Sequence, residues 1–168
     1  MNDIAEASDK GRRTIYTYFR NKREIYNAVV EHESEQLVSH LRQVAESKLS
    51  PVEKLREYLQ VRLKVVDEAR ARRTDTVTLR SFFSRDVRRL EKIRNLALSK
   101  EADIFAGVIN EGVQAGVFDE NQAQRVLSVE AILCQGIDYN KIHSTSEATP
   151  DEMHNQMIDF IVEGLLKS

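Results

Sequence analysis

The N-terminal residues 3–25 read DIAEASDKGRRTIYTYFRNKREI. This stretch divides into two short helical segments, residues 3–8 and 12–19, and an intervening turn at residues 9–11, where Gly11 can adopt a positive φ angle. A basic second helix after a tight turn is typical of a helix-turn-helix, whose second helix enters the major groove of DNA. The apolar side chains that could pack the motif together are Ile4, Ala7, Ile15, Phe19 and Ile25.

Charge is distributed unevenly along the 168 residues. Residues 10–23 contain six basic residues and no acidic one, whereas the whole chain has a net charge of −2, so the remainder sums to −8. A local basic patch on an acidic body indicates a surface for nucleic acid. From charge alone, a solvated basic helix face stays open as an alternative.

The motif residues Ile4-Ala5-x-Ala7, Thr14-Ile15-Tyr16-x-Tyr18-Phe19 and Lys22-x-x-Ile25 resemble the DNA-binding signature of TetR-family (tetracycline-repressor-like) regulators. The resemblance implies a homodimeric, ligand-responsive transcriptional repressor of a prokaryote that binds double-stranded operator DNA. It implies a helix-turn-helix domain over residues 1–30 and a helical effector-binding and dimerisation domain over residues 31–168. The glycine of the turn stands at Gly11, where the family places it differently.

The family has a further helix before the position of Ile4, and only three residues precede it here. We therefore expect an N-terminally incomplete DNA-binding domain. A helical small-molecule-binding dimer that has lost DNA binding is the alternative function.

The proposed recognition helix supplies the candidate DNA contacts. By resemblance, Tyr16, Tyr18 and Lys22 contact the phosphate backbone, and Lys22 stands at a helix N-terminus, which favours anions. Arg12, Arg13 and Thr17 are the candidates for base edges, with Thr14 exposed on the same helix. For Tyr16, packing against the next domain is the alternative.

Helix starts and apolar spacing predict an all-α protein. Capping patterns place helix starts near residues 22, 51, 120 and 150, two of them with proline in the first turn. Apolar residues recur at helical spacing between these starts, and one long helix is expected to end at Gly116. The fold class is a helix-turn-helix followed by a helical bundle.

The last two predicted helices, residues 123–139 and 153–166, are apolar over most of their circumference. Such helices must be covered on more than one side, which favours a four-helix dimer interface built from two copies. A helix buried at the centre of one subunit is the alternative.

The resemblance also implies a small-molecule effector inside the C-terminal domain, and the aromatic candidates there favour a largely apolar one. For each candidate, ordinary core packing or surface exposure is the alternative. The apolar and aromatic candidates are Tyr58, Leu79, Phe82, Phe83, Phe105, Ile109 and Tyr139, and the polar ones are Arg80, Asn110, Gln135 and His143.

Other classes of protein have little support in the sequence. The single cysteine, Cys134, permits no internal disulfide and indicates a cytoplasmic protein. No apolar run approaches the length of a membrane span. Because the four histidines are scattered and no phosphate loop or nucleophile motif is present, we expect no catalytic site, metal or cofactor.

Overall fold

A computed structural model describes residues 11–73, 87–134 and 149–167. These ranges are helical apart from turns and one isolated antiparallel bridge between Phe118 and Leu166, so the predicted all-α class is confirmed. The six helices described are α1 (Arg12–Tyr18), α2 (Lys22–Ala45), α3 (Pro51–Arg73), α4 (Val87–Gln114), α5 (Glu120–Cys134) and α6 (Pro150–Leu165).

All four predicted helix starts are confirmed, and side-chain caps explain them. The Asn21 side chain accepts a hydrogen bond from the Glu24 backbone N–H at 3.0 Å, and α2 begins at the next residue. Thr149 and Glu152 form a reciprocal capping box at the start of α6. Each cap satisfies a backbone N–H that the first helical turn leaves without a partner.

The same contacts act on the capping carboxylates. Hydrogen bonds from the backbone N–H and then the hydroxyl of Thr149 lower the pKa of Glu152 from its ordinary value of 4.5. At the start of α3, the hydroxyl and then the backbone N–H of Ser50 lower the pKa of Glu53 in the same way. The charged forms of both carboxylates are therefore favoured by the folded chain.

The turn after α4 is hydrogen-bonded to the C-terminal end of α6. Gly116 has a φ of +72°, and the Val117 N–H donates to the Gly112 carbonyl at 2.9 Å, which ends the helix. The buried Phe118 ring then lies directly against Gly112, where an added Cβ would come within 2.0 Å of the ring. The Asp119 N–H donates to the Leu165 carbonyl at 2.8 Å, so the end of α6 is tied to this turn.

One hydrophobic core unites α2 to α6. Leu41, Leu55, Ile109 and Leu165 are fully buried within it, and α2, α3 and α4 supply more than half of its buried members among the described residues. α2 packs against α3 and α4, and α3 also packs against α4 and α6. α2 therefore connects the N-terminal motif directly to the centre of the bundle.

Charged side chains also join α3 to α4. The Lys54 ammonium lies 2.8 Å from a Glu111 carboxylate oxygen, and the Arg62 guanidinium pairs with the buried Glu101 carboxylate. Between these pairs, the Tyr58 hydroxyl donates to the Glu101 backbone carbonyl at 2.9 Å. Buried charges that are paired and hydrogen-bonded in this way fix the position of one helix against the other.

Candidate nucleic-acid interface

α1 corresponds to the second helix of the predicted motif, and the backbone at its N-terminus differs from the predicted one. Gly11 has a φ of −60° and a ψ of 140° and is the N-cap residue of α1. The prediction that the turn uses a positive φ at Gly11 is wrong, because an N-cap residue takes an extended backbone that any residue can adopt. Residues 3–8, with Ile4 and Ala7, lie outside the described residues.

One face of α1 is turned to solvent. Arg13, Thr14 and Thr17 are exposed, and the Thr17 hydroxyl donates to the Arg13 carbonyl at 3.0 Å. Tyr18 is 76% exposed and Tyr16 is 44% exposed. The structure thus brings five of the six predicted α1 contact residues to the surface, while the side chain of Arg12 is not among those described. The opposite face holds Ile15 and Phe19, both half-buried.

The junction between α1 and α2 is short and well bonded. The Phe19 N–H donates to the Ile15 carbonyl at 2.9 Å, and the Arg20 N–H donates to the Glu24 carboxylate at 2.7 Å. Lys22 is exposed in the first turn of α2, beside backbone N–H groups that attract anions. Only residues 19–21 separate the two helices, and these bonds order both ends of that junction.

Three of the predicted effector-pocket residues lie together at the centre of the bundle. Tyr58, Phe105 and Ile109 are at most 1% exposed, and the Tyr58 and Phe105 rings are tilted with centroids 5.3 Å apart. Asn110 is exposed. The remaining candidates lie outside the described residues: Leu79, Arg80, Phe82, Phe83, Gln135, Tyr139 and His143. Ligand contact by Tyr58, Phe105 and Ile109 stays a prediction.

An open groove between α2 and α3 has no counterpart in the sequence prediction. It encloses about 550 Å³, and its floor is formed by Val44, Val61 and Val65. The i, i+4 spacing of the last two valines was a signal for a shared helix face. Two valines at this spacing could equally well be core residues. The sequence alone therefore does not predict a groove, which depends on how the two helices pack.

α5 and α6 expose apolar side chains at the surface. Phe160 on α6 is 80% exposed, and Val129 on α5 is 45% exposed. On the opposite side of α6, Ile158, Val162 and Leu165 are buried in the core. Phe160 is therefore a large apolar side chain of α6 that the described part of the chain leaves exposed.

The described residues contain neither a metal-binding cluster nor a membrane-spanning helix. Across residues 11–73, 87–134 and 149–167, no cluster of three His, Cys, Asp or Glu side chains could hold a metal ion. No helix in the part of the chain that the structure describes has both the length and the apolar content to cross a membrane.

Comparison with known proteins connects the motif to a family. Residues 1–29 match the family model for bacterial regulatory proteins of the tetR family. No curated protein matches the chain in sequence closely enough to count as a relative.

Solved structures share the fold over nearly the whole chain. A transcriptional regulator from Cytophaga hutchinsonii superposes with a TM-score of 0.71 and 20% identity, covering 99% of this chain and 88% of its own. A TetR/AcrR-family regulator from Thermobifida fusca gives 0.65 and 19%, covering 99% and 86%. The TetR-family regulator PfmR from Thermus thermophilus gives 0.63 and 20%, covering 98% and 88%. The N-terminal motif thus matches the tetR-family model, and the chain shares its fold with these solved regulators.

Proposed function

We propose that this chain is a homodimeric, ligand-responsive transcriptional repressor that binds double-stranded operator DNA through α1. The observation that supports this most is the exposed polar face of α1. Capping hydrogen bonds order the start of α2, which follows α1 after a short junction. Residues 1–30 form the DNA-binding domain in this proposal, and residues 31–168 bind the effector and the second subunit. Such a repressor acts in the cytoplasm.

The proposed DNA contacts have two roles: some bind the phosphate backbone and others recognise the base sequence. Tyr16, Tyr18 and Lys22 bind phosphates, which fixes the helix on the duplex without selecting a sequence. Arg12, Arg13 and Thr17 reach base edges, with Thr14 beside them. A bidentate arginine–guanine contact discriminates by ~1–3 kcal/mol against a wrong base.

Dimerisation places two copies of α1 on one duplex. The exposed Phe160 and Val129 suit an interface formed by α5 and α6 of both subunits, where a two-fold axis brings the same face from each copy. Recognition helices of such a dimer contact half-sites ~34–36 Å apart, one turn of DNA.

The effector is proposed to be a small, largely apolar molecule that favours one of two orientations of α2. Because α2 packs on α3 and α4 and only residues 19–21 separate it from α1, a change inside the bundle can reach the DNA surface. A coupling of ~1–3 kcal/mol between the two sites is enough for regulation.

Titration of the full chain against DNA tests the proposal. Fluorescence anisotropy compares duplexes tiled from the protein's own promoter region with scrambled duplexes of equal length and composition, at one fixed salt concentration. We expect one promoter duplex to bind ~1,000-fold or more tightly than its scrambled control. A protein that dimerises but binds both duplexes alike, or neither, would support the alternative of a ligand-binding dimer without DNA binding.

A further inference from the structure

Thr17 lies on the exposed face of α1, and its hydroxyl is already hydrogen-bonded within the helix. The hydroxyl donates to the Arg13 backbone carbonyl at 3.0 Å, one helical turn back along α1. A threonine hydroxyl has a single hydrogen to donate and two lone pairs that can accept. Because that hydrogen is used inside α1, Thr17 in this conformation has no donor left for a partner outside the protein.

This bond limits what Thr17 can recognise on a DNA duplex. Phosphate oxygens only accept hydrogen bonds, so Thr17 is not a phosphate contact. The purine N7 atoms, the guanine O6 and the thymine O4 in the major groove are acceptors too. Two kinds of group remain there: the thymine methyl, which takes an apolar contact, and the amino groups of adenine and cytosine, which would donate to the threonine oxygen.

The methyl group of Thr17 is the part of the side chain best placed for an outward contact. The oxygen is directed back along the helix at the Arg13 carbonyl, so Cγ2 is the substituent of Cβ that is left to meet a partner. Thr17 is exposed, and an exposed methyl is stabilised when another apolar group covers it.

We propose that Thr17 recognises thymine in the operator, through contact between its methyl and the 5-methyl group of the base. This inference rests on the proposed function and names one base that α1 selects. Arg13 is one turn away on the same face, a rise of ~6 Å, which is about two base-pair steps. The thymine therefore belongs to the same half-site as the guanine proposed for Arg13.

Duplexes that lack single methyl groups test the contact. The promoter duplex that binds most tightly is synthesised with deoxyuridine in place of thymine, one position of the half-site at a time and in both half-sites. This exchange removes the 5-methyl group and keeps the base pair. Fluorescence anisotropy at fixed salt then measures the dissociation constant of the full chain. We expect one position at which deoxyuridine weakens binding about tenfold, because two methyl contacts are lost.

Two substitutions separate the methyl of Thr17 from its hydroxyl. Thr17→Val keeps a methyl and removes the hydroxyl, so the affinity and the sensitivity to deoxyuridine should both persist. Thr17→Ser keeps the hydroxyl and removes the methyl, so it should bind the thymine duplex about tenfold more weakly and lose nothing further on the deoxyuridine duplex. Thr14→Ser is the matched control, because it removes a methyl from another exposed threonine of α1, and it should keep the full sensitivity to deoxyuridine.

The contrary results separate this inference from the proposed function. Specific binding without any sensitive thymine, or a deoxyuridine effect that persists in Thr17→Ser, would overturn the thymine contact and leave the repressor proposal standing. Weak binding by Thr17→Val together with full binding by Thr17→Ser would assign the contact to the oxygen and also overturn it. If no duplex is bound specifically, the proposed function fails and the thymine contact fails with it.

Discussion

Phe160 offers the most direct perturbation of the proposed dimer. About 200 Å² is a typical surface for a phenylalanine, and 80% of this one is exposed, so ~160 Å² is available for burial by a second subunit. At ~25 cal/mol per Å², that burial contributes at most ~4 kcal/mol for each copy. Truncation of a central interface aromatic costs ~2 kcal/mol or more, and a two-fold interface contains it twice. Phe160→Ala should therefore weaken dimerisation by ~4 kcal/mol, about 1,000-fold in the dissociation constant.

Sedimentation equilibrium over a wide range of protein concentration measures this change. Leu96→Ala is the matched control, because Leu96 is 58% exposed and belongs to α4, not to the α5 and α6 of the proposed interface. Circular dichroism should show full helicity for both variants, since Phe160 buries little surface within its own subunit. An unchanged dissociation constant for Phe160→Ala, or the same loss in Leu96→Ala, would refute the assignment of this face to the dimer.

Three further outcomes follow from the site and the fold. Lys22→Ala should weaken binding to specific and scrambled duplexes by similar factors, whereas Arg13→Ala should lose ~1–3 kcal/mol on the specific duplex alone; equal losses in both variants would contradict the division of roles. Gly112→Ala should lower the free energy of unfolding by ~1–3 kcal/mol in urea melts, because its Cβ would lie 2.0 Å from the Phe118 ring; Gly107→Ala, with open space around the added Cβ, is the control and should not destabilise the chain, and equal effects would contradict the close packing. The lowered pKa of Glu152 stabilises the fold above the unfolded-state value of 4.5, and this contribution is lost as the pH falls through the lower folded-state pKa. Glu152→Gln should therefore lose stability at neutral pH relative to the unmodified chain and show a smaller decline in acid; parallel pH profiles in thermal melts would contradict the capping role.

The helix starts could be predicted because capping is a local interaction. Asn21 and Thr149 lie within three residues of the N–H groups that they cap, so the sequence contains both partners. The all-α class followed from helical spacing for the same reason. Gly116 confirms the reasoning at the end of α4, where a positive φ is required. Gly11 shows its limit, because glycine alone does not distinguish an N-cap from a turn.

Features that depend on the packing of separate helices were beyond the sequence. The apolar composition of α6 predicted that a second subunit packs against it. Which of its apolar side chains is exposed depends on the packed fold, where it is Phe160. Arg62 and Glu101 form an ion pair although they lie far apart in the sequence, so their proximity depends on the packing of α3 against α4. The groove between α2 and α3 likewise depends on the positions of two helices.

Hydroxyl-radical and methylation footprinting of the dimer on its own promoter region tests the central claim most directly. If α1 reads DNA from a two-fold scaffold, two protected major-groove segments should appear with centres ~34–36 Å apart. Arg13→Ala should reduce protection of guanines in both segments equally. Uniform protection along the duplex, a single protected segment, or none would contradict the account.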